Sequence, residues 1–260
     1  MENQNMSKEE RLENLIIAAR NARETSDEKT AIKHYEDISA LAPNSWEALF
    51  YLAVLKTNTI KYGEISNAAI GVSNCLPKVF ELIDKTIEGD KEKKAAVAEV
   101  QKQCGKTAGW LLRASGNYYN SLTKNDLSVS VTVAAMRMDA KRHARYESAQ
   151  RAVNIGNILC VCGNCIEATF GLGDTFYQNL AMDCWKAMLQ VHVGHIQNYK
   201  VAVFNDETIQ RISRKIQKYD RTYETPNVKA TEKRDYTIKG ILLAVAVFAL
   251  TLLWYWWVWM

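Results

Sequence analysis

Residues 31–55 read AIKHYEDISALAPNSWEALFYLAVL and contain two apolar patterns on either side of a single proline. In each pattern the apolar residues recur at the three- and four-residue spacing of an α-helix. Pro43 ends the first pattern, because the residue before a proline disfavours helical backbone. The stretch therefore predicts two helices joined by a short turn, and the rest of the chain extends this arrangement.

Capping-box pairs, in which Ser, Thr or Asn is followed three residues later by Glu, mark three helix starts. The pairs are Ser7 with Glu10, Thr25 with Glu28, and Asn44 with Glu47. Apolar residues at helical spacing follow each pair. We predict two short antiparallel helices and the start of a third.

These residues resemble the tetratricopeptide repeat, a 34-residue helix–turn–helix unit. The match consists of Leu15, Ala18, Ala19, Ala22, Ala31, Tyr35, Ile38 and Pro43. The resemblance implies that Ala19 and Ala31 let two helices approach closely and that Tyr35 fills the groove between them. A second, partial unit begins at Trp46 and keeps Leu49, Leu52 and Ala53. Because solenoids of this kind need about three repeats for stability, further helices must complete the core.

Residues 31–55 are also similar to bacterial tetratricopeptide-like proteins of unknown role. Members of that group often carry an N-terminal zinc ribbon. This chain has no cysteine before Cys75, so the resemblance implies no such ribbon here.

Helical periodicity continues along the rest of the soluble part. We predict helices over residues 65–88, 91–122, 126–170 with a break near 154–156, 175–199 and 206–219. Residues 127–133 alternate like a strand, but a lone strand has no pairing partner, so we interpret them as helix. The predicted fold is all-α, an antiparallel helix-pair bundle or short solenoid plus one C-terminal transmembrane helix.

The predicted organisation has four parts. Residues 1–60 form the tetratricopeptide-like unit, 61–221 a helical bundle continuing the same soluble domain, 222–236 a basic juxtamembrane linker, and 237–260 the transmembrane helix.

The last twenty residues, 241–260, contain no charge, and as a helix they span about 30 Å, the thickness of a bilayer core. We expect the membrane interfaces to hold Lys239, Trp254, Tyr255, Trp256, Trp257 and Trp259. Residues 211–239 carry nine Lys and Arg against four Asp and Glu. Basic residues flanking a span stay in the cytoplasm, so we predict a tail-anchored, single-pass protein with a cytoplasmic N-terminal domain. The alternative is a buried C-terminal core helix.

Six cysteines raise a metal or redox hypothesis. The candidate ligands are Cys160, Cys162, Cys165, Cys184, His192 and His195. Zinc needs four converging thiolate or imidazole ligands, usually placed on turns. The first three cysteines lie inside a predicted helix, which points Cys160 and Cys162 about 200° apart. Buried structural cysteine is therefore the competing interpretation.

The leading functional hypothesis is a membrane-tethered interaction protein without catalysis or cofactor. We expect Trp46, Phe50 and Tyr51 to contact a protein partner, with packing against the next helix pair as the alternative. The net charge of +4 does not suggest a nucleic-acid partner. Two alternatives stay open: a metal- or redox-responsive membrane protein that uses the cysteines, and a membrane-active effector that forms homo-oligomers through its span.

Overall fold

A computed structural model describes residues 7–123 and 131–230, which form eight α-helices and no β-strand. The helices are α1 (Lys8–Glu24), α2 (Glu28–Leu41), α3 (Trp46–Lys56), α4 (Ile65–Thr86), α5 (Asp90–Thr123), α6 (Val131–Phe170), α7 (Thr175–Tyr199) and α8 (Asp206–Gln217). Two short 3₁₀ turns, Thr57–Thr59 and Tyr62–Glu64, connect α3 to α4. The predicted all-α fold is confirmed for these residues.

The start of α1 is a capping box, as the sequence predicts. The Glu10 amide donates to Ser7 Oγ at 3.1 Å, and the Ser7 amide donates to Glu10 Oε2 at 2.9 Å. These two bonds satisfy amides that the first turn of a helix otherwise leaves unpaired.

The other two predicted caps are wrong by one or two residues. Asp27, and not Thr25, caps α2 by accepting the Thr30 amide at 3.2 Å. Thr25 instead closes α1, where its hydroxyl donates to carbonyls of the last turn. Ser45, and not Asn44, caps α3. In both cases the chain offers two cap-forming residues one or two positions apart, and only the backbone decides which one reaches the third amide.

Successive helices pack against one another along the chain. The first pair joins where Ala19 of α1 and Ala31 of α2 are fully buried, and Tyr35 of α2 is buried beside them. Two small side chains let the helix backbones approach, so the large phenol ring closes the space that remains. Helix α6 packs on α4, α5 and α7, and α5 also contacts α7, so α6 lies at the centre of the long helices.

Helix α6 runs without the predicted break near residues 154–156. Its glycines serve packing instead: at Gly163 a Cβ atom would meet Trp185 Nε1 at 2.7 Å and the Ala181 carbonyl oxygen at 3.0 Å. At Gly156 a Cβ atom would lie 2.6 Å from the Phe204 ring. Gly163 and Gly156 therefore keep α6 continuous while letting α7 and the chain before α8 pack closely onto it.

Among the described residues, one helical segment, Arg142–Phe170 of α6, is long and apolar enough to cross a bilayer. Its most apolar window has a mean hydropathy of 1.2 and is 50% buried inside the protein. The segment contacts α4, α5 and α7, which is the position of a core helix. The predicted span 237–260 and its interface residues lie outside the described residues, as does most of the predicted strand-like stretch.

Candidate functional site

An open cleft of about 510 Å³ lies between α1, α3 and the start of α5. This volume is within the range of about 300–1,000 Å³ that is typical of ligand-binding clefts. Its walls come from α1, α3 and α5 and from Ile87, which precedes α5. We call this feature the α1/α3/α5 cleft.

A buried carboxylate forms part of the cleft lining. Glu47 of α3 is only 6% exposed, and it accepts two parallel hydrogen bonds from Arg20 of α1, Nε to Oε1 at 3.0 Å and Nη2 to Oε2 at 2.6 Å. The hydroxyl of Tyr35 donates to Glu47 Oε1 at 3.0 Å. A buried carboxylate needs such partners to offset its lost hydration. The hydrogen bond to Glu47 raises the pKa of Arg20, and burial raises the pKa of Tyr35.

Tyr51 of α3 forms another part of the lining, and it is sandwiched between two side chains. Its ring stacks on Tyr35 with centroids 5.3 Å apart, and the Arg23 guanidinium carbon lies 3.9 Å from its centroid. The Tyr51 hydroxyl donates to Glu99 Oε1 of α5 at 2.5 Å, and Arg23 Nη2 lies 3.8 Å from the same oxygen. Burial raises the pKa of Tyr51, so this phenol stays protonated and the Glu99 carboxylate is its acceptor.

The wall from α5 is smooth and acidic at both ends. Glu92 and Glu99 are seven residues apart, two helical turns, and Ala95 and Ala96 lie between them on the same face. The Glu92 carboxylate reaches back over Gly89 at the start of the helix. Because the alanine side chains are short, another backbone can approach α5 closely between the two carboxylates.

Of the three residues that the sequence nominated for partner contact, two line this cleft. Trp46 is half-buried in its wall, and Tyr51 lies at the base of the lining with only 1% of its surface exposed. Phe50 is 0% exposed and packs edge-on against Tyr51 in the core, which is the packing alternative considered for it. The sequence analysis missed Arg20, Arg23 and Glu99 as lining residues. Nothing local distinguishes these residues from solvated charges on an exposed helix face.

The predicted metal ligands are divided between different places. Cys160, Cys162 and Cys165 lie on the continuous helix α6, and Cys184 lies on α7. The Cys162 thiol is fully buried, close to the thiols of Cys184 and of Cys104 from α5. The sequence analysis did not include Cys104. The neighbouring Cys104 thiol raises the pKa of the Cys162 thiol well above its ordinary value.

In the described part of the chain, no group of three or more His, Cys, Asp or Glu side chains is arranged to hold a metal ion. The two histidines have other partners, because both bind the connection between α7 and α8. His195 Nδ1 donates to the Val201 carbonyl oxygen at 2.9 Å, and its Nε2 lies 3.2 Å from Ser148 Oγ. His192 Nδ1 accepts the Phe204 amide at 3.1 Å. The bond to His192 requires a neutral imidazole, and burial lowers the pKa of both histidines.

No protein family, no curated protein and no solved structure matches this chain. The class that the described residues define is an all-α protein of sequentially packed helices with an open cleft at its N-terminal end.

Proposed function

We propose that this protein is a membrane-tethered scaffold that binds a segment of a partner protein in the α1/α3/α5 cleft, without catalysing a reaction. The cleft carries the proposal. It combines a half-buried tryptophan, Trp46, with paired charges on fixed helices, and Trp, Tyr and Arg are the residues that most often dominate binding at protein interfaces. The Arg20–Glu47 pair and the stacked Tyr35 and Tyr51 rings hold this surface in one conformation.

We also infer that α1 to α4 are tetratricopeptide-like helix pairs. The support is the burial of Ala19, Ala31 and Tyr35 at the α1–α2 contact, where the repeat pattern requires small and aromatic side chains. In stacked helix pairs the first helices of successive pairs line one face, and this is the face on which such proteins bind partners. Side chains from α1, α3 and α5 line the cleft.

The membrane tether is the second part of the proposal. It rests on the uncharged residues 241–260 and on the basic stretch that precedes them. Deletion of residues 237–260 should move the protein from the membrane to the soluble fraction and leave its helical circular-dichroism signal unchanged. Loss of that signal on deletion would contradict a separately folded domain.

Site-specific photo-crosslinking tests the binding proposal in the full chain. A photoreactive phenylalanine analogue replaces Ala95, which is exposed on the α5 wall, or, as a control, Tyr146, which is exposed on α6 away from the cleft. We expect a discrete adduct from position 95 that disappears when Trp46→Ala is added. An adduct that forms equally from position 146, or that survives Trp46→Ala, would contradict the proposal.

A second candidate function, a redox-responsive membrane protein, is favoured by one observation: the buried thiols of Cys104, Cys162 and Cys184 lie close together. A peroxide could oxidise Cys162 and one neighbour to a disulfide, with the two thiols supplying two hydrogens and two electrons and the peroxide leaving as two waters. Mass spectrometry of the peroxide-treated protein tests this. A disulfide that contains Cys162 would support it, and exclusive oxidation of the less buried Cys75 and Cys165 would contradict it.

A further inference from the structure

We infer that the segment bound in the α1/α3/α5 cleft is a basic amphipathic helix, with an apolar side chain beside Trp46 and Ile87 and two Lys or Arg residues facing Glu92 and Glu99. This inference rests on the proposed binding function and adds the chemistry of the partner. It follows from the charges, the shape of the α5 wall and the spacing of its carboxylates.

The charges of the cleft do not cancel. Three glutamates and two arginines line it, and the charge of Arg20 is taken up by the buried Glu47. Arg23 lies flat against the Tyr51 ring, 3.8 Å from Glu99, with 23% of its side chain exposed against 39% for Glu99. The side facing a ligand is therefore more acidic than basic, and Glu92 adds a further exposed carboxylate.

Three lysines lie close to Glu92 along α5: Lys91 is exposed and does not line the cleft, whereas Lys93 and Lys94 bind carboxylates outside it. Lys93 Nζ lies 2.9 Å from Asp84 of α4. Lys94 Nζ lies 2.9 Å from Asp90 and 2.8 Å from Asp174, which precedes α7. Both lysines are thus directed to the end of the molecule where α4, α5 and α7 meet, and a cationic partner gains the attraction of the carboxylates.

The shape of the wall favours a helix as the bound segment. Ala95 and Ala96 form a shallow surface between Glu92 and Glu99, whose seven-residue separation corresponds to a rise of about 10.5 Å. A helix lying along α5 would present basic residues at positions i and i+7 to the two carboxylates. An apolar residue at i+3 or i+4 of that helix would point into the cleft, which is the pattern of helix-in-groove recognition.

Fluorescence anisotropy with designed peptides tests the inference on the full chain in nanodiscs of zwitterionic lipid, with empty nanodiscs as the blank. The probe is a labelled, helix-stabilised peptide of about 18 residues with lysines at i and i+7 and a leucine at i+4. One comparison peptide has glutamate in place of both lysines, and another carries a central proline that prevents a helix. We expect the lysine helix to bind about tenfold more tightly than either comparison peptide.

Matched variants locate the binding. The double variant Glu92→Gln with Glu99→Gln removes both charges and keeps an acceptor for the Tyr51 hydroxyl. It should lower the affinity for the lysine helix about fivefold or more. Glu9→Gln with Glu13→Gln changes two exposed glutamates of α1 outside the cleft and should leave the affinity unchanged. Trp46→Ala should lower the affinity of every peptide that binds in the cleft.

The outcomes separate this inference from the proposed function. The glutamate helix could bind as tightly as the lysine helix or more tightly, with Trp46→Ala still lowering its affinity. In that case the inferred basic character of the partner is wrong, and the proposal that the cleft binds a partner is retained. If the proline peptide binds as tightly as the lysine helix, the helical form is wrong. Absence of peptide binding, or binding that ignores both sets of cleft variants, overturns the inference, and the crosslink from position 95 then decides the proposed function.

Discussion

The guanidinium of Arg20 holds the carboxylate of Glu47 through two parallel hydrogen bonds, although the two residues lie on different helices and 27 positions apart. Glu47 is buried, whereas 52% of the Arg20 side chain is exposed. Bidentate pairing of this kind fixes direction as well as distance. The pair therefore sets the position of α1 relative to α3 and, with it, the shape of the cleft.

Replacement of Arg20 with alanine should destabilise the protein by about 1–2 kcal/mol, because Glu47 would remain buried with only Tyr35 as a partner. Equilibrium unfolding of the full chain in detergent micelles by urea measures the free energy of unfolding. The control is the cycle of Arg20→Met, Glu47→Leu and their double variant, which removes both charges together. A loss for the double variant as large as the sum of the single losses would show that the two residues do not interact.

Gly163→Ala should destabilise the protein by about 1–3 kcal/mol, because the added Cβ atom meets the Trp185 ring and the Ala181 carbonyl oxygen in a packed interior. Ordinarily the same substitution in a helix stabilises by up to about 1 kcal/mol. Gly71→Ala in α4, where nothing lies within 4 Å, is the matched control and should be neutral or stabilising. Thermal unfolding measures both, and an equal shift in Tm for the two variants would contradict the packing around Trp185.

Helix positions could be predicted from the sequence because apolar periodicity is a local property of the chain. The predicted helix over residues 175–199 coincides with α7, and the capping pair Ser7 and Glu10 behaves as predicted. The break expected near 154–156 is absent, because Gly156 is needed for contact with Phe204 and not for a turn. Glycine in a helical pattern does not reveal which of these roles it serves.

The cleft could be predicted only in part. Trp46 could be nominated from the sequence because it is a large aromatic residue at the start of a predicted helix. Arg23 and Glu99 could not be nominated, because they meet only after α1 and α5 have packed. The same limit applies to Cys104, Cys162 and Cys184, which come from three helices. Contacts between residues far apart in the chain carry no local pattern, so one sequence does not record them.

Acidification below about pH 6.5 should destabilise the protein through His192 and His195. Burial lowers the pKa of each below its ordinary value of 6.5, so the folded state holds them neutral while the unfolded state binds protons first. The two histidines make their full contribution to the free energy of unfolding above pH 6.5. This contribution is lost as the pH falls from there toward their pKa values in the folded state. Asp206 opposes the shift at His192 without reversing it. Urea unfolding across this pH range measures the effect.

His192→Asn is the control for this pH dependence, since its side-chain oxygen can accept the Phe204 amide without binding a proton. We expect this variant to lose less stability between about pH 6.5 and 5. Asp27, Asp174 and Asp220 also have lowered pKa values, but their contributions are lost only as the pH falls below about 3.8. An unchanged slope in His192→Asn would show that His192 does not cause the loss near pH 6.

The thiols should react with Ellman's reagent near pH 8 only as fast as the protein opens. Cys104, Cys160, Cys162 and Cys184 are buried, and burial raises the pKa of Cys75 to about 12 and of Cys165 to about 11. At that pH a thiol of pKa 11 is about 0.1% thiolate, the reactive form. The same protein in concentrated guanidinium chloride is the control and should react at once at all six cysteines. Rapid reaction of even one thiol in the folded protein would contradict this packing, because it requires an accessible thiolate.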